Sequence, residues 1–245
     1  MRIAAIADIH GNLSALEAVL SDIETREVDL VVNLGDVFSG PLYPAECADL
    51  LIPLSFPTVR GNHERQLLTQ SMREMGLSDR YASLCLRPDH MTWVAGLPET
   101  LWVSDDILLV HGTPDSDLIY FLETVDEEGL RPASREEIHC RIGGVQAGLI
   151  LCGHTHVPRS VRLDDGRVIA NPGSVGLSAF KDDHPYPHRI QNGSPHARYA
   201  VLEKENGRWS IELIAVEYDW AKAAAVAEKR GRSDWAQALR TGFVD

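Results

Sequence analysis

The sequence predicts an α/β fold, because apolar runs alternate with helical patterns through the first two thirds of the chain. Five runs rich in Ile, Val, Leu and Ala each end in polar residues: RIAAIAD, DLVVNLGD, FPTVRGNHE, DILLVHGTP and GLILCGHTH. Runs as apolar as these are typical of strands covered on both faces. In such sheets ligands gather at the carboxyl ends of the strands, so we expect the polar residues that end the five runs to meet in space.

Helical spacing of apolar residues predicts three helices between these runs. Residues 13–23 carry leucine and isoleucine at helical spacing directly after the first run. A second helix is expected to begin at Pro44, which suits a first helical turn, and to end before Pro53. A third is expected to follow Asn62 and to reach about Met75.

The last third of the chain changes character. Two stretches predict β-hairpins, which turn at Asp165-Gly166 and at Asn206-Gly207. Residues 219–241 are rich in alanine and predict a helical C-terminal segment. Residues 178–198 are polar and hold proline, glycine and histidine, so we expect an exposed loop that could act as a lid.

Length and composition are typical of a soluble, folded protein. The chain has 245 residues, of which 44% are hydrophobic and 24% are charged. With no repeat and no linker, we expect a single domain over residues 1–245. A formal net charge of −13 argues against non-specific binding to nucleic acid or to anionic membranes.

Two further features of the sequence bear on the cellular compartment of the protein. No apolar stretch approaches the roughly 20 residues that a membrane-spanning helix needs. The four cysteines are scattered and form no C-x-x-C pair, which favours a reducing cytoplasm over a disulfide framework.

Eight side chains that can bind a metal or transfer a proton follow the predicted strands: Asp8, His10, Asp36, Asn62, His63, His111, His154 and His156. Each has an ordinary structural explanation, such as a hydrogen-bonded histidine or a helix-capping asparagine. Gathering several imidazoles and two carboxylates at one sheet edge without a metal would cost desolvation with little in return. The set therefore favours a metal site. From spacing alone, His154 and His156 could share one ion or serve one ion each.

Five short motifs resemble those of the calcineurin-like metallophosphoesterase superfamily. They appear in order as DIH (8–10), GD (35–36), GNHE (61–64), HG (111–112) and GHTH (153–156). NPGSVG at 171–176 extends the resemblance to small phosphodiesterases of bacteria and archaea. The resemblance implies two mixed β-sheets packed as a sandwich, flanked by helices in four layers, with a dinuclear metal centre at one edge. It also implies a metal-dependent phosphoesterase.

Carried over position by position, the resemblance implies a first metal held by Asp8, His10 and His156, a second held by Asn62, His111 and His154, and Asp36 bridging both. The two histidines of GHTH would then serve one ion each. Imidazole, carboxylate and amide ligands suit Mn, our preferred metal, with Fe, Zn, Ni or Co as alternatives. Two divalent ions would outweigh the two carboxylates, attract phosphate and lower the pKa of bound water enough to supply hydroxide.

Catalytic roles are expected for Asp36, through the metal bridge, and for His63 as the general acid at the leaving oxygen. Asn62 and Arg60, together with His63, are expected to contact the substrate. Arg65 and Arg159 could also contact phosphate, although ordinary surface charge explains them at least as well.

One segment departs from the serine/threonine protein phosphatases of the superfamily, which carry Asp-Arg-Gly shortly after Gly-Asp. Here the segment reads GDVFSGP, with Ser39 and Gly40 in place of the acid and the arginine. We therefore expect both the carboxylate that would orient His63 and one phosphate-binding arginine to be missing. This disfavours a protein phosphatase.

The sequence thus predicts a cytoplasmic hydrolase of a small or nucleotide-like phosphate ester. Diester or anhydride cleavage is slightly favoured, because one arginine is missing; a dinucleoside polyphosphate hydrolase and a protein phosphatase remain alternatives. A non-catalytic metal-binding scaffold is the alternative from another class, and the presence of all seven ligand residues disfavours it. A homodimer is expected only from the frequency of symmetric dimers.

Overall fold

The computed structural model describes residues 1–245. Its strands are β1 (Arg2–Ile6), β2 (Leu30–Asn33), β3 (Leu101–Ser104), β4 (Ile107–Leu109), β5 (Glu123–Asp126), β6 (Gly129–Pro132), β7 (Leu149–Leu151), β8 (Arg159–Arg162), β9 (Val168–Asn171), β10 (Ala179–Asp182), β11 (His188–Gln191), β12 (Ala197–Glu205) and β13 (Arg208–Val216). Its helices are α1 (Leu13–Glu24), α2 (Pro44–Leu51), α3 (Asn62–Thr69), α4 (Leu77–Cys85), α5 (Pro88–Ala95), α6 (Arg135–Ile142), α7 (Trp220–Lys229) and α8 (Ser233–Thr241).

Two mixed sheets form the centre of the molecule. The first has the strand order β13-β12-β1-β2, with β1 parallel to β2 and antiparallel to β12. The second has the order β3-β4-β7-β9-β8, in which β4, β7 and β9 run parallel. Two separate hairpins, β5–β6 and β10–β11, complete the strands. The predicted pair of mixed sheets is confirmed.

The four-layer packing follows from the alternation of side chains along each strand. In β1, Ile3 and Ala5 enter a core shared with residues of the second sheet, including Leu149 and Leu151. The alternate residues of β1 enter a second core, which α1, α2 and α5 cover. A third core lies between the outer face of the second sheet and α6. Both sheets are therefore buried on two faces, as their continuous apolar runs predict.

One of the five apolar runs forms no strand. In FPTVRGNHE only Thr58 makes an isolated parallel bridge, to Asn33. The chain contacts the edge of β2 through Pro57 and Val59, and Arg60 then donates its N–H to Pro98 instead. Proline has no N–H of its own to donate, so a longer ladder does not form here.

The predicted helix from Asn62 to Met75 ends six residues early, at Thr69. Gln70 adopts an extended conformation that ends α3. Glu74 then accepts hydrogen bonds from both the backbone N–H and the hydroxyl of Ser71, at 2.8 Å each. This side-chain bonding begins a new turn, as serine often does where it competes with helical backbone bonds, and α4 follows.

The segment 178–198 is not the exposed loop that its composition predicts. It contains the antiparallel hairpin β10–β11, in which Phe180 pairs with Ile190. His188 and Ile190 are buried while their neighbours are exposed, which is the alternation of a strand packed on one face. The predicted role as a lid stays a prediction.

The C-terminal segment and both late hairpins follow the sequence closely. The hairpins β8–β9 and β12–β13 turn where expected. The helical segment is divided into α7 and α8 at Gly231, whose φ of +76° favours glycine. The four cysteines are unpaired, and none of the helices has the length and apolarity that crossing a membrane would take.

Replacing Leu202 in β12 by alanine tests the core between the sheets. Leu202 is fully buried, so Leu202→Ala is expected to lower the free energy of unfolding by about 2–5 kcal/mol. The control is Leu84→Ala in α4, where the side chain is 73% exposed and a change below about 0.5 kcal/mol is expected. Urea unfolding measures both; equal small effects would contradict a tightly packed core at Leu202.

Candidate metal centre

The loops that follow four strands meet at one edge of the sandwich. They carry the residues predicted for the site: Asp8 and His10 after β1, Asp36 after β2, His111 after β4, and His154 and His156 after β7. Asn62 and His63 join them from the first turn of α3. All except His63 and His154 are buried. The strand ends thus converge as the sequence predicts.

The potential ligand atoms form two groups, each with all its atoms within 4.8 Å of one another. One group is Asp8, His10 and His156; the other is Asp36, His111 and His154. Asn62 adjoins the second group, with Oδ1 3.1 Å from Nε2 of His111. The two histidines of GHTH fall in different groups, and the division coincides with the two ligand sets that the resemblance implies.

Five of these residues have backbone conformations that side chains disfavour. Their φ angles are positive: 55° at Asp8, 51° at His10, 54° at Asp36, 70° at His154 and 58° at His156. The left-handed region costs a non-glycine residue roughly 1–2 kcal/mol. Such conformations persist only where the surrounding structure imposes them, and they cluster at functional sites.

Backbone hydrogen bonds between the loops impose these conformations. The N–H of Asp8 donates to Gly35 at 3.0 Å, and the N–H of His10 donates to Asp36 at 3.0 Å. The loops after β1 and β2 therefore continue the pairing of their strands. The Asp8 carboxylate also accepts the backbone N–H of His154, at 3.1 and 3.2 Å, which ties the loop after β7 to them.

Glu64, fully buried in the first turn of α3, fixes the Asp36 loop. Its carboxylate accepts the backbone N–H groups of Asp36 and Val37 at 2.8 Å and of Gly61 at 3.0 Å. The N–H of His63 in turn donates to Oδ1 of Asp36 at 3.0 Å. A Cβ on Gly61 would lie 2.2 Å from the same oxygen, so only glycine permits this approach.

Backbone carbonyls fix the orientation of three histidine rings. In each, Nδ1 lies close to a carbonyl oxygen: His10 at 2.7 Å from Ser39, His111 at 2.7 Å from Leu34, and His156 at 2.6 Å from Leu177. A carbonyl only accepts, so Nδ1 carries a hydrogen and Nε2 is the ring nitrogen available to a metal ion at the centre. This is the arrangement that metal-binding histidines adopt.

The donor atoms fit divalent cations. Nε2 of His10 lies 3.0 Å from Nε2 of His156, although both nitrogens present lone pairs, which repel unless positive charge lies beside them. Nε2 of His111 also lies 3.1 Å from Oδ2 of Asp36. His154 has the opposite orientation, because its Nε2 is 3.3 Å from the carbonyl of Leu118, and so its Nδ1 faces the centre.

The pKa shifts of the clustered side chains are also consistent with a cation site. Burial, aided by neighbouring imidazoles, lowers the pKa of His10 to about 3 and that of His154 to about 4, which keeps both neutral. Burial alone would raise the pKa of Asp36, but His111 and His63 hold it well below its usual value. Burial alone would lower the pKa of His111, but Asp36 raises it to about 10. The ionised carboxylate thus draws positive charge to its immediate surroundings.

A carboxylate does orient His63, contrary to the sequence expectation. Oδ1 of Asp79, in the first turn of α4, lies 2.7 Å from Nδ1 of His63. The hydroxyl of Ser39 donates to the same oxygen at 2.6 Å. Burial would lower the pKa of His63, but Asp36 and Asp79 together raise it to about 9. Ser39, which replaces an acid, thus holds the acid that α4 supplies.

The three arginines suggested for phosphate binding are paired with carboxylates. The pairs are Arg60 with Glu99 at 2.5 Å, Arg65 with Asp117 at 2.6 Å, and Arg159 with Glu123 at 2.7 Å. None of these arginines lines the cavity above the centre. The expected contact between Arg60 and the substrate is therefore not supported by its position.

A cavity of about 1220 Å³ opens above the candidate centre. Asn62 and His63 line it, as expected for residues that contact a substrate. Arg232, Trp235 and Gln237, from the C-terminal helical segment, also line it. Nothing in their sequence context marks these C-terminal residues, because an amphipathic helix gives the same pattern whether it covers a core or a cleft.

Comparison with known proteins agrees with the family that the sequence motifs resemble. The family model of the calcineurin-like phosphoesterase superfamily domain matches residues 1–188. An uncharacterized protein of Methanocaldococcus jannaschii is 26% identical, over 95% of this chain and 94% of that protein. The crystal structure of a metallophosphoesterase from Sphaerobacter thermophilus is 26% identical with a TM-score of 0.76, and 99% of this chain and 100% of that chain are covered.

A hypothetical protein of Pyrococcus horikoshii shares the fold, with a TM-score of 0.77 at 18% identity over 100% of this chain and 99% of that chain. These two structures extend the likeness beyond the family match to α7 and α8. The C-terminal residues that line the cavity therefore belong to a fold shared along the whole chain.

Replacing Glu64 by glutamine tests how the Asp36 loop is held. The amide keeps the size but turns an NH₂ group towards backbone donors, so Glu64→Gln is expected to destabilise the fold by about 1–3 kcal/mol. Manganese affinity should fall about 10- to 100-fold, as for other residues that support ligands. Urea unfolding and metal analysis after dialysis measure the two effects. Glu24→Gln, at an exposed position of α1, is the control and should change neither; equal behaviour of both variants would contradict the role of Glu64.

Proposed function

The chain belongs to the calcineurin-like phosphoesterase superfamily, and from that premise we propose that it hydrolyses small phosphodiesters with the help of two divalent metal ions. Membership makes it a hydrolase of phosphoester bonds and implies divalent metal ions. The number of ions, their ligands and the preference for diesters are our proposals. The observation that carries them is the convergence of two adjacent groups of donor atoms at the floor of one cleft.

We assign the first ion to Asp8, His10 and His156, the second to Asn62, His111 and His154, and Asp36 to both. The fixed tautomers of His10, His111 and His156 support this assignment. When bound, such ions supply positive charge for the phosphate and the acidity that converts water into a nucleophile. The donor set is nitrogen and oxygen without thiolate, which suits manganese, our preferred metal; Fe, Zn, Ni or Co are alternatives.

His63 is the residue we propose to protonate the leaving oxygen. Its Nδ1–H donates to Asp79, so the opposite edge of the ring carries Nε2 into the cavity that His63 lines. The side chain is 25% exposed, more open than His10, His111 and His156. Asp79, which accepts a hydrogen bond from Ser39, restricts the rotation of the ring.

The charges around the cavity favour a single phosphate with one negative charge. Apart from the ligand residues, its cationic lining consists of His63, Arg141, Lys181 and Arg232. His63 is paired with Asp79. Arg232 is paired with Asp234 at 2.7 Å, and Arg141 donates to backbone carbonyls and to Thr124. Of these cationic side chains, only that of Lys181 forms neither a hydrogen bond nor an ion pair.

A polyphosphate chain would need more free cations than this cleft offers, because each additional phosphate adds negative charge to an acidic protein. The same shortage disfavours a phosphomonoester dianion relative to a diester monoanion. We therefore propose a phosphodiester rather than a dinucleoside polyphosphate. A cytoplasmic location and a homodimer stay predictions.

Metal removal and reloading test the proposed centre. Protein treated with a chelator should lose turnover of bis(p-nitrophenyl) phosphate, and manganese should restore it at two ions per chain. Asp36→Ala should lose both ions, because the bridging ligand serves both. A protein that neither binds nor uses Mn, Fe, Co, Ni or Zn would contradict the proposal, and retention of both ions by Asp36→Ala would remove the bridge.

Leaving-group dependence tests His63 and Asp79. His63→Ala should slow diesters with alkyl leaving groups about 10²- to 10⁴-fold and p-nitrophenyl diesters much less, because p-nitrophenolate departs without a proton. Asp79→Ala should show the same selectivity, and Asp79→Asn, which keeps an acceptor for Nδ1–H, should recover part of the loss. The exposed Asp89→Asn is the control. Equal losses on both substrate types would remove His63 as the proton donor.

A further inference from the structure

Three apolar side chains border the cavity beside the candidate centre: Leu118, Ile119 and Phe180. We call them the apolar wall. Leu118 is 55% exposed and Ile119 is 49% exposed, although exposed apolar area costs about 25 cal/mol per Å² in water. Apolar surface of this kind inside a cleft is typical of a ligand-binding site.

Several contacts place the apolar wall next to the metal ligands. The carbonyl of Leu118 lies 3.3 Å from Nε2 of His154, and the ring of Phe180 lies 4.7 Å from that of His156. The hydroxyl of Tyr120 lies 3.0 Å from Nε2 of His188. This hydrogen bond joins the loop of Leu118 and Ile119 to the β10–β11 hairpin that carries Phe180.

The wall is held in place before any ligand binds. Arg65 in α3 donates two hydrogen bonds to Asp117, at 2.6 and 3.0 Å. A Cβ on Gly112 would lie 2.5 Å from the carbonyl oxygen of Ser116 and 2.8 Å from that of Ile119, so the loop packs directly on the chain after β4. A preformed surface loses little entropy on binding.

The lining near His63 is mixed. It includes His63, Gln66, Ser78 and Arg232, together with the indole of Trp235, whose ring lies 5.9 Å from that of His10. Ring contacts run from His63 to His10 at 5.3 Å, from His10 to His156 at 4.9 Å, and from His156 to Phe180 at 4.7 Å. The histidines of the first ligand group thus lie between the proposed proton donor and Phe180 of the apolar wall.

We propose that the apolar wall binds the ester group that stays on phosphorus, so that the protein selects phosphodiesters whose retained group is apolar or aromatic. The inference rests on the proposed function. A diester has two organic groups, and the leaving one belongs at His63, where its oxygen receives a proton. The retained group then faces away from His63, towards Leu118, Ile119 and Phe180. The side chains of the apolar wall carry no charge, which fits an uncharged retained group.

Two substrates with the same leaving group test the proposal: phenyl p-nitrophenyl phosphate and methyl p-nitrophenyl phosphate. With manganese-loaded protein, the double variant Leu118→Asn, Ile119→Asn should lower kcat/KM for the phenyl diester about 10-fold, mainly through KM, because one or two lost apolar contacts have effects of this size. The methyl diester should change less than about 2-fold, since its retained group is too small to fill the wall. Phe180→Asn should give the same selectivity independently.

Leu84→Asn, an exposed leucine on α4 outside the cavity lining, is the matched control and should leave both substrates unchanged. Comparing each variant with the unaltered protein removes the intrinsic difference in reactivity between the two diesters. Turnover of both diesters with an unchanged ratio in the wall variants would overturn the apolar subsite and leave the proposed function intact. Turnover of neither diester by the unaltered protein would instead contradict the proposed function.

Discussion

Acceptor atoms are crowded together at one edge of the sandwich, and the rest of the structure depends on keeping them there. Nε2 of His10 faces Nε2 of His156 at 3.0 Å, and Oδ2 of Asp36 is within 3.1 Å of His111. The two facing imidazole nitrogens repel each other where no cation lies beside them, and the left-handed backbones beneath the site add to the cost. Three apolar cores and the hydrogen bonds between the loops oppose it. The fold thus holds these side chains in place, and the proposed metal ions would relieve the repulsion between them.

The sequence predicted which side chains converge at this edge, because each lies beside a local signal. Asp8, Asp36, His111 and His154 each follow an apolar run, and parallel strands bring their carboxyl ends to one edge. Asp79 had no such signal, because it lies 16 residues beyond His63 in an ordinary amphipathic helix. The β10–β11 hairpin was also missed, since each strand has only four residues and their alternation is hidden in polar composition.

The break between α3 and α4 explains how Asp79 comes to lie beside His63. Had the helix continued to Met75, as predicted, the first turn of α4 would not lie beside His63. The turn that Ser71 and Glu74 begin redirects the chain, so that Asp79 reaches the ring of His63. In the protein phosphatases, the acid that Ser39 replaces here is expected to orient the corresponding ring. A carboxylate therefore still pairs with His63, but it comes from α4 and not from the segment after Asp36. Ser39 fits this exchange because a hydroxyl can donate to the new carboxylate, whereas a second carboxylate would repel it.

The charge balance explains why specificity would lie in apolar contacts. With a net charge of −13, and with the cleft's arginines already engaged by acids or carbonyls, the ions of the centre would be the main attraction for a phosphate. That attraction is the same for every diester monoanion, so it cannot separate one diester from another. Discrimination between diesters must then come from surfaces that contact the organic groups, and the proposed wall of Leu118, Ile119 and the half-buried Phe180 is such a surface. Its anchoring through Arg65 and Asp117 links it to α3, the helix that also carries Asn62, His63 and Glu64. One element therefore positions a proposed metal ligand, the proposed proton donor and the proposed specificity surface.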